Sequence, residues 1–156
     1  MNIAVLGLSV TSSWGNGHAT TYRALLRALA ARGHRITFFE RDQPWYADNR
    51  DLPDPPYCRA VLYNSISDLQ HTHDEALRSA DVVVVGSYVP DGAAVIDLVL
   101  RRCTTSVTAF YDIDTPVTLA RLAQGDAEYL RVDQIPRLHL YLSFTGGPTL
   151  QRLMNR

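Results

Sequence analysis

Ile3 to Glu40 reads IAVLGLSVTSSWGNGHATTYRALLRALAARGHRITFFE, and the change of period within it decides the fold. Ile3 to Leu8 is a continuous apolar run, the pattern of a parallel strand buried on both faces. Ala19 to Arg32 then sets Tyr22, Leu25, Leu26 and Leu29 at helical spacing and keeps Arg23, Arg27 and Arg32 off that stripe. Gly33 supplies a helix stop, and Arg35 to Glu40 is a second strand. Strand, helix and strand in that order predict the first part of a parallel sheet.

The same alternation continues. "AVLY" is a weak third strand, and Ile66 to Ser79 reads as one helix with Ser67 or Asp68 available as cap. "DVVVVGS" is the clearest strand, four β-branched residues ending at Gly86 where the chain must turn. Asp91 or Gly92 opens the helix "AAVIDLVLRR"; "SVTAFYDID" is a fifth strand, Thr115 to Gln124 a helix, "HLYLSF" a sixth strand, and "TLQRLMNR" begins a last helix. The expectation is a single α/β domain over residues 1–156. It is a Rossmann-like three-layer sandwich with a mostly parallel sheet of about six strands and helices on both faces. In such a sheet the ligand site lies beyond the carboxyl ends of the strands, near the point where strand order reverses. The segment "QPWYADNRDLPDPPY" is a long proline-rich excursion, either a surface loop or a functional one.

Bulk properties exclude several chemistries. A chain of 156 residues, 46% hydrophobic, has the length of one domain with a sizeable core. A net charge of −1 argues against a nucleic-acid partner, which a basic patch would attract by counterion release. All fifteen basic residues are arginine, so a P-loop lysine, a Schiff-base lysine and a Ser-Lys dyad are absent. Cys58 and Cys103 are far apart and form no CxxC, which fits reduced thiols in a cytoplasmic protein. The opening residues lack the basic flank of a signal peptide, and no run reaches the roughly 18 to 20 apolar residues of a membrane span.

The loop after the first strand is too long and polar for a simple turn. Gly15 and Gly17 offer GxG, but Thr20 stands at the third fingerprint position and the pair lies seven residues beyond Leu8, so the spacing is wrong for a dinucleotide. Glu40 could serve a ribose. His18 falls in the first turn of the helix, where free amides and the helix dipole disfavour imidazolium, so a neutral ring is expected, fit for a general base or merely capping the helix.

"WGNGHATTYRALLRALAARGHRITFFERD" resembles the N-terminal half of GT-B glycosyltransferases, and "GSYVPDG", "FYDIDTPVTLARL" and "HLYLSFTGGPTL" are similar to the bacterial group of spore-maturation CgeB-like glycosyltransferases. That resemblance covers essentially the whole chain. It implies a cleft between two Rossmann-like domains, a nucleotide-sugar donor held by the C-terminal one and a hydroxyl acceptor by this one. It also implies His18 as catalytic base, oriented by Asp112 or Asp114. Family members continue into a donor-binding domain that this sequence lacks, so the chain alone is expected to be inactive, with a cleft face through which it could form a homo-oligomer.

The candidate site therefore comprises His18 and Asp112 as catalytic residues, with Ser12, Ser13, Trp14, Gly15, Asn16, Gly17, Ser87, Tyr88, Asp114, Thr145, Gly146 and Gly147 around the substrates. Asp114 reads as cap of the Thr115-Pro116 helix, which leaves Asp112 the better partner for His18. Two carboxylates, Asp112 and Asp114, are too few oxygens for a hard cation, and His71 and His73 point to different helix faces, so neither a metal nor a cofactor is expected. Trp14, Trp45 and Tyr46 lie in loops, where they either stack on sugar rings or pack against the sheet. Arg41 either meets a phosphate or pairs with Asp42. Non-catalytic nucleotide binding and protein interaction are the alternative functions.

Overall fold

A computed structural model describes residues 1–143 and 145–155. Phe144, the last residue of the expected sixth strand, and Arg156, the end of the expected last helix, lie outside the described residues. The chain runs β1 (Asn2–Gly7), α1 (His18–Ala31), β2 (Arg35–Arg41), α2 (Pro44–Ala47), β3 (Arg59–Tyr63), α3 (Ile66–Thr72), α4 (Asp74–Arg78) and β4 (Val82–Gly86). It continues through α5 (Gly92–Arg102), β5 (Val107–Asp112), α6 (Thr115–Ala123), a 3₁₀ turn (Val132–Arg137), β6 (Leu140–Ser143) and α7 (Gly147–Met154).

All six strands form one sheet in the order β3-β2-β1-β4-β5-β6, and every neighbouring pair is parallel. The alternation of side chains along β1 separates two cores. Ile3 and Val5 join Tyr22, Leu26, Ile36 and Phe38 under α1, whereas Ala4 and Leu6 join Phe39, Val83, Val85, Val95 and Ile96 under α5. The result is the expected three-layer α/β sandwich, with the strand order of a Rossmann-like sheet.

Local chemistry explains the differences from the sequence pattern. The single helix expected over Ile66 to Ser79 is two, broken at His73, whose φ of −118° and ψ of 6° leave the helical region. The cap is Ser65, ahead of the expected Ser67 or Asp68: its Oγ accepts the Asp68 amide at 3.0 Å while Asp68 accepts the Asn64 amide at 2.9 Å. The short α2 begins with a proline at its first position, which the proline-rich composition concealed. Gly33 ends α1 as expected, at φ +81°.

Two glycines at strand ends make room for one phenol. A Cβ on Gly86 would lie 1.7 Å from the Tyr22 hydroxyl, and one on Gly7 would meet the Phe38 ring at 2.3 Å and the Tyr22 ring at 3.0 Å. Tyr22 is fully buried, its hydroxyl has no hydrogen-bond partner, and burial pushes its pKa up.

Candidate functional site

Strand order reverses between β1 and β4, so the loops after these two strands form the walls of the switch-point crevice. The wall after β1 is held from beneath by Glu40. This carboxylate is completely buried at the end of β2 and accepts the Val10 amide at 2.7 Å, the Thr11 amide at 3.0 Å and the Thr11 hydroxyl at 2.6 Å. Both oxygens are thereby engaged by the loop, and the fully buried carboxylate is closed to a ribose. Thr11 also receives the Arg50 Nε at 3.2 Å, and its carbonyl accepts the Leu52 amide at 3.0 Å. The long excursion after β2 is therefore a brace for the opening loop.

The brace continues outward. Ser12 is fully buried and donates to the Asn49 carbonyl at 2.7 Å, so no ligand reaches it in this conformation. Ser13 donates its amide and hydroxyl to Asp51, and Arg23 forms a two-pronged pair with the same carboxylate, which holds Asp51 well below the usual carboxylate range. Asn16 performs the capping that the sequence offered to His18: its Oδ1 accepts the Ala19 amide at 3.0 Å, and its Nδ2 donates to the carbonyls of Ser12 and Trp14. Gly15, at φ +65°, and Gly17 face open space, and Trp14 is 54% exposed.

The opposite wall is built differently. Tyr88 and Asp91 both occupy the left-handed region, at φ +67° and +56°, a costly conformation for a bulky tyrosine. Ser87 is buried and works between strands, its amide donating to the Tyr111 carbonyl and its hydroxyl accepting the Ile113 amide. The strained turn aims the Tyr88 ring at His18, with centroids 4.7 Å apart, and on its other side at Tyr129, also at 4.7 Å. Arg121 lies 4.3 Å over Tyr129 and completes the stack. Neither Tyr129 nor Arg121 follows a strand, so no motif or spacing marks them in the sequence. Gly92 admits them: a Cβ there would meet the Tyr129 carbonyl at 2.8 Å.

The two aspartates at the end of β5 are placed differently from the expectation. Asp112 is buried and accepts the Tyr141 hydroxyl at 2.6 Å, the Thr118 hydroxyl at 2.8 Å and the Asp114 amide at 3.3 Å, tying β5 to β6 and α6. Asp114 occupies the N-cap position of α6 but makes no side-chain cap bond. Its carboxylate accepts the Tyr88 hydroxyl at 3.3 Å and is the charge that acts on His18.

His18 is half-buried, with its Nδ1 enclosed and without a partner. Burial lowers its pKa from the ordinary 6.5, and Asp114 pulls the other way. The ring is neutral near pH 7, as the sequence suggested, with desolvation as the main cause. Asp114 also opens onto a cleft of about 410 Å³ between the first turns of α6 and α7, lined by 113–116, Ser143, Thr145 and Gly146. Gly147, at φ +57°, begins α7, and its position faces open space.

Arg41 pairs with Asp91 at 3.2 Å, and the Asp42 expected as its partner is bonded to Arg50. Tyr46 packs, at 5% exposure, while Trp45 stands out at 52%. His71 folds back on its own helix, accepting or donating at Ser67. Among the described residues no three His, Cys, Asp or Glu side chains gather as a metal site would require, and no helix is long and apolar enough to cross a membrane. In comparisons with known proteins, no family model and no curated sequence matches the chain.

Proposed function

We propose that this chain is the N-terminal, acceptor-side domain of a GT-B glycosyltransferase resembling the CgeB-like group, acting on a nucleotide-sugar donor and a hydroxyl acceptor. The observation that carries the reading is the His18–Tyr88–Asp114 cluster at the switch-point crevice. A histidine kept neutral by burial, beside a carboxylate that favours its charged form, is suited to take a proton and hold it briefly. In the proposed step the acceptor hydroxyl gives its proton to the imidazole. Its oxygen bonds to the anomeric carbon as the bond to the nucleoside diphosphate breaks, and that diphosphate leaves with the electron pair. Asp114, in the place first assigned to Asp112, stabilises the imidazolium. The donor site is proposed to lie on a second Rossmann-like domain facing this one.

A second reading, a non-catalytic interaction or self-association domain, has one observation in its favour. Leu140 and Leu142 of the edge strand β6, with Leu150 and Met154 of α7, expose aliphatic side chains. Sugar transfer from UDP-, GDP- and dTDP-sugars by the protein that carries this domain separates the two. With His18→Ala, kcat should fall by about 10²- to 10⁴-fold at little-changed KM, the range of a lost general base. Undiminished turnover removes His18 from the chemistry, and absence of transfer in the wild type favours the interaction reading.

A further inference from the structure

We infer that Trp14 and Trp45 form a stacking platform for a neutral oligosaccharide, which on the glycosyltransferase reading is the acceptor. Each tryptophan is more than half exposed, at 54% and 52%, although the loop that carries Trp14 and the segment that carries Trp45 on the short helix α2 are otherwise tied down. Three hydrogen bonds connect them: the Trp14 amide donates to Ser12 Oγ at 3.2 Å, Ser12 Oγ donates to the Asn49 carbonyl at 2.7 Å, and Asn49 Nδ2 donates to the Trp45 carbonyl at 2.9 Å. Asn16 joins the same pair of loops, bonding the Trp14 carbonyl and reaching the Tyr46 hydroxyl beside Trp45. The main-chain anchors of the two tryptophans are thus tied together before a ligand arrives, so little backbone entropy is lost on binding.

Composition selects the ligand. The aliphatic side chains exposed at β6 and α7 suit a protein surface, but on these two loops the indoles are the large apolar groups exposed, and their neighbours Ser13, Asn16 and Asn49 are polar. An indole with hydrogen-bonding groups at its rim matches a pyranose, whose axial C–H bonds form an apolar face and whose hydroxyls project around it. Charge selects a neutral one. Arg23 is held by Asp51 and Arg50 by Asp42, so the cations nearby are already paired, and the exposed Asp48 disfavours an anion. Two fixed platforms call for more than one sugar unit. Trp14 lies on the loop that leads into α1 at His18, so on the glycosyltransferase reading one end of such a chain is inferred to reach the proposed base.

Both tryptophans of the protein belong to this platform, so its two indole N–H signals report on nothing else. The ¹⁵N-labelled chain, with signals assigned by Trp14→Phe and Trp45→Phe, is titrated with chitotriose, maltotriose and cellotriose, with glycerol and with anionic phospholipid vesicles. Expected are saturable shifts of both indoles with one common Kd for at least one trisaccharide, weakened at least tenfold at the Trp45 signal by Trp14→Ala and preserved in His18→Ala. The inference is overturned if no trisaccharide gives a saturable shift, if only one indole responds, if glycerol reproduces the shifts, or if only the vesicles perturb the signals. Saccharide binding with turnover indifferent to His18 would sink the catalytic reading alone. His18-dependent transfer with silent indoles would sink the platform alone.

Discussion

The two walls of the crevice are held by different physics. After β1, polar groups of the loop find partners in the segment that follows β2: Glu40 takes two amides and a hydroxyl, Asp51 takes Ser13 and Arg23, and Asn16 caps α1. After β4 and β5, two non-glycine residues sit at positive φ, the Tyr88–Asp114 bond is 3.3 Å long, and His18, whose ring packs on Tyr88, has a buried Nδ1 with no partner. A saturated wall is a frame; a strained and under-bonded one is where binding and proton transfer have something to gain. Each wall nevertheless stands on one buried carboxylate at a strand end, Glu40 on one side and Asp112 on the other.

The greatest loss should come from the frame. Glu40→Ala leaves two buried amides and a buried hydroxyl without their acceptor, and at roughly 1 to 3 kcal/mol for each stranded donor the expected destabilisation is about 4 kcal/mol. Urea unfolding measures it as a fall in the midpoint at unchanged slope. A loss below about 1 kcal/mol, with water satisfying the amides, would mean that the frame does not depend on Glu40.

Asp112→Ala tests the foundation of the other wall. It removes the acceptor of the Tyr141 and Thr118 hydroxyls and of the Asp114 amide where β5, β6 and α6 meet, but the hydroxyls are side-chain rotors able to turn elsewhere and the amide bond is long, at 3.3 Å. The expected cost is smaller, about 2 to 3 kcal/mol by the same unfolding measurement. An unchanged midpoint would show that these strands are joined by the backbone ladder alone.

These outcomes bear on what the sequence could reveal. Strand and helix periods were legible because burial on two faces imposes them: Ile3 and Val5 against Ala4 and Leu6, and the run Val82 to Val85, carry the three-layer sandwich in their spacing. The position of His18 was equally legible, since a loop between β1 and a helix must end at the crevice. The aspartates are placed differently from the expectation for a physical reason. An Asp before Thr-Pro has a strong local tendency to cap, yet the backbone of Asp114, at φ −137° and ψ 72°, turns its carboxylate to Tyr88, while Asp112 stays in the strand and points inward. Tertiary context overrode the local preference. The brace made by Asp51, Arg50 and Asn49 was hidden altogether, because loop-to-loop hydrogen bonds leave no period, and the helix break at His73 has no glycine or proline to mark it.

The smallest effect is the most diagnostic of what the two aspartates do. Burial holds the pKa of His18 below 6.5 and Asp114 opposes it, so Asp114→Asn should lower it further. In stability, the unfolded chain protonates this ring first on acidification. The contribution of a neutral His18 is complete above about pH 6.5 and is lost as pH falls from there through the lower folded pKa. Asp114→Asn extends that window at its acidic end, by an amount that solvent screening of a half-exposed ring keeps under about 1 kcal/mol. The imidazole proton shifts of His18, followed by NMR from pH 8 to pH 4, read the change directly. Asp112→Asn should move them less, because its carboxylate is already engaged by Tyr141 and Thr118 and lies behind Asp114 in the chain. If Asp112→Asn moves the titration more than Asp114→Asn does, the walls differ only in strain, and Asp112 regains the orienting role that the sequence assigned to it.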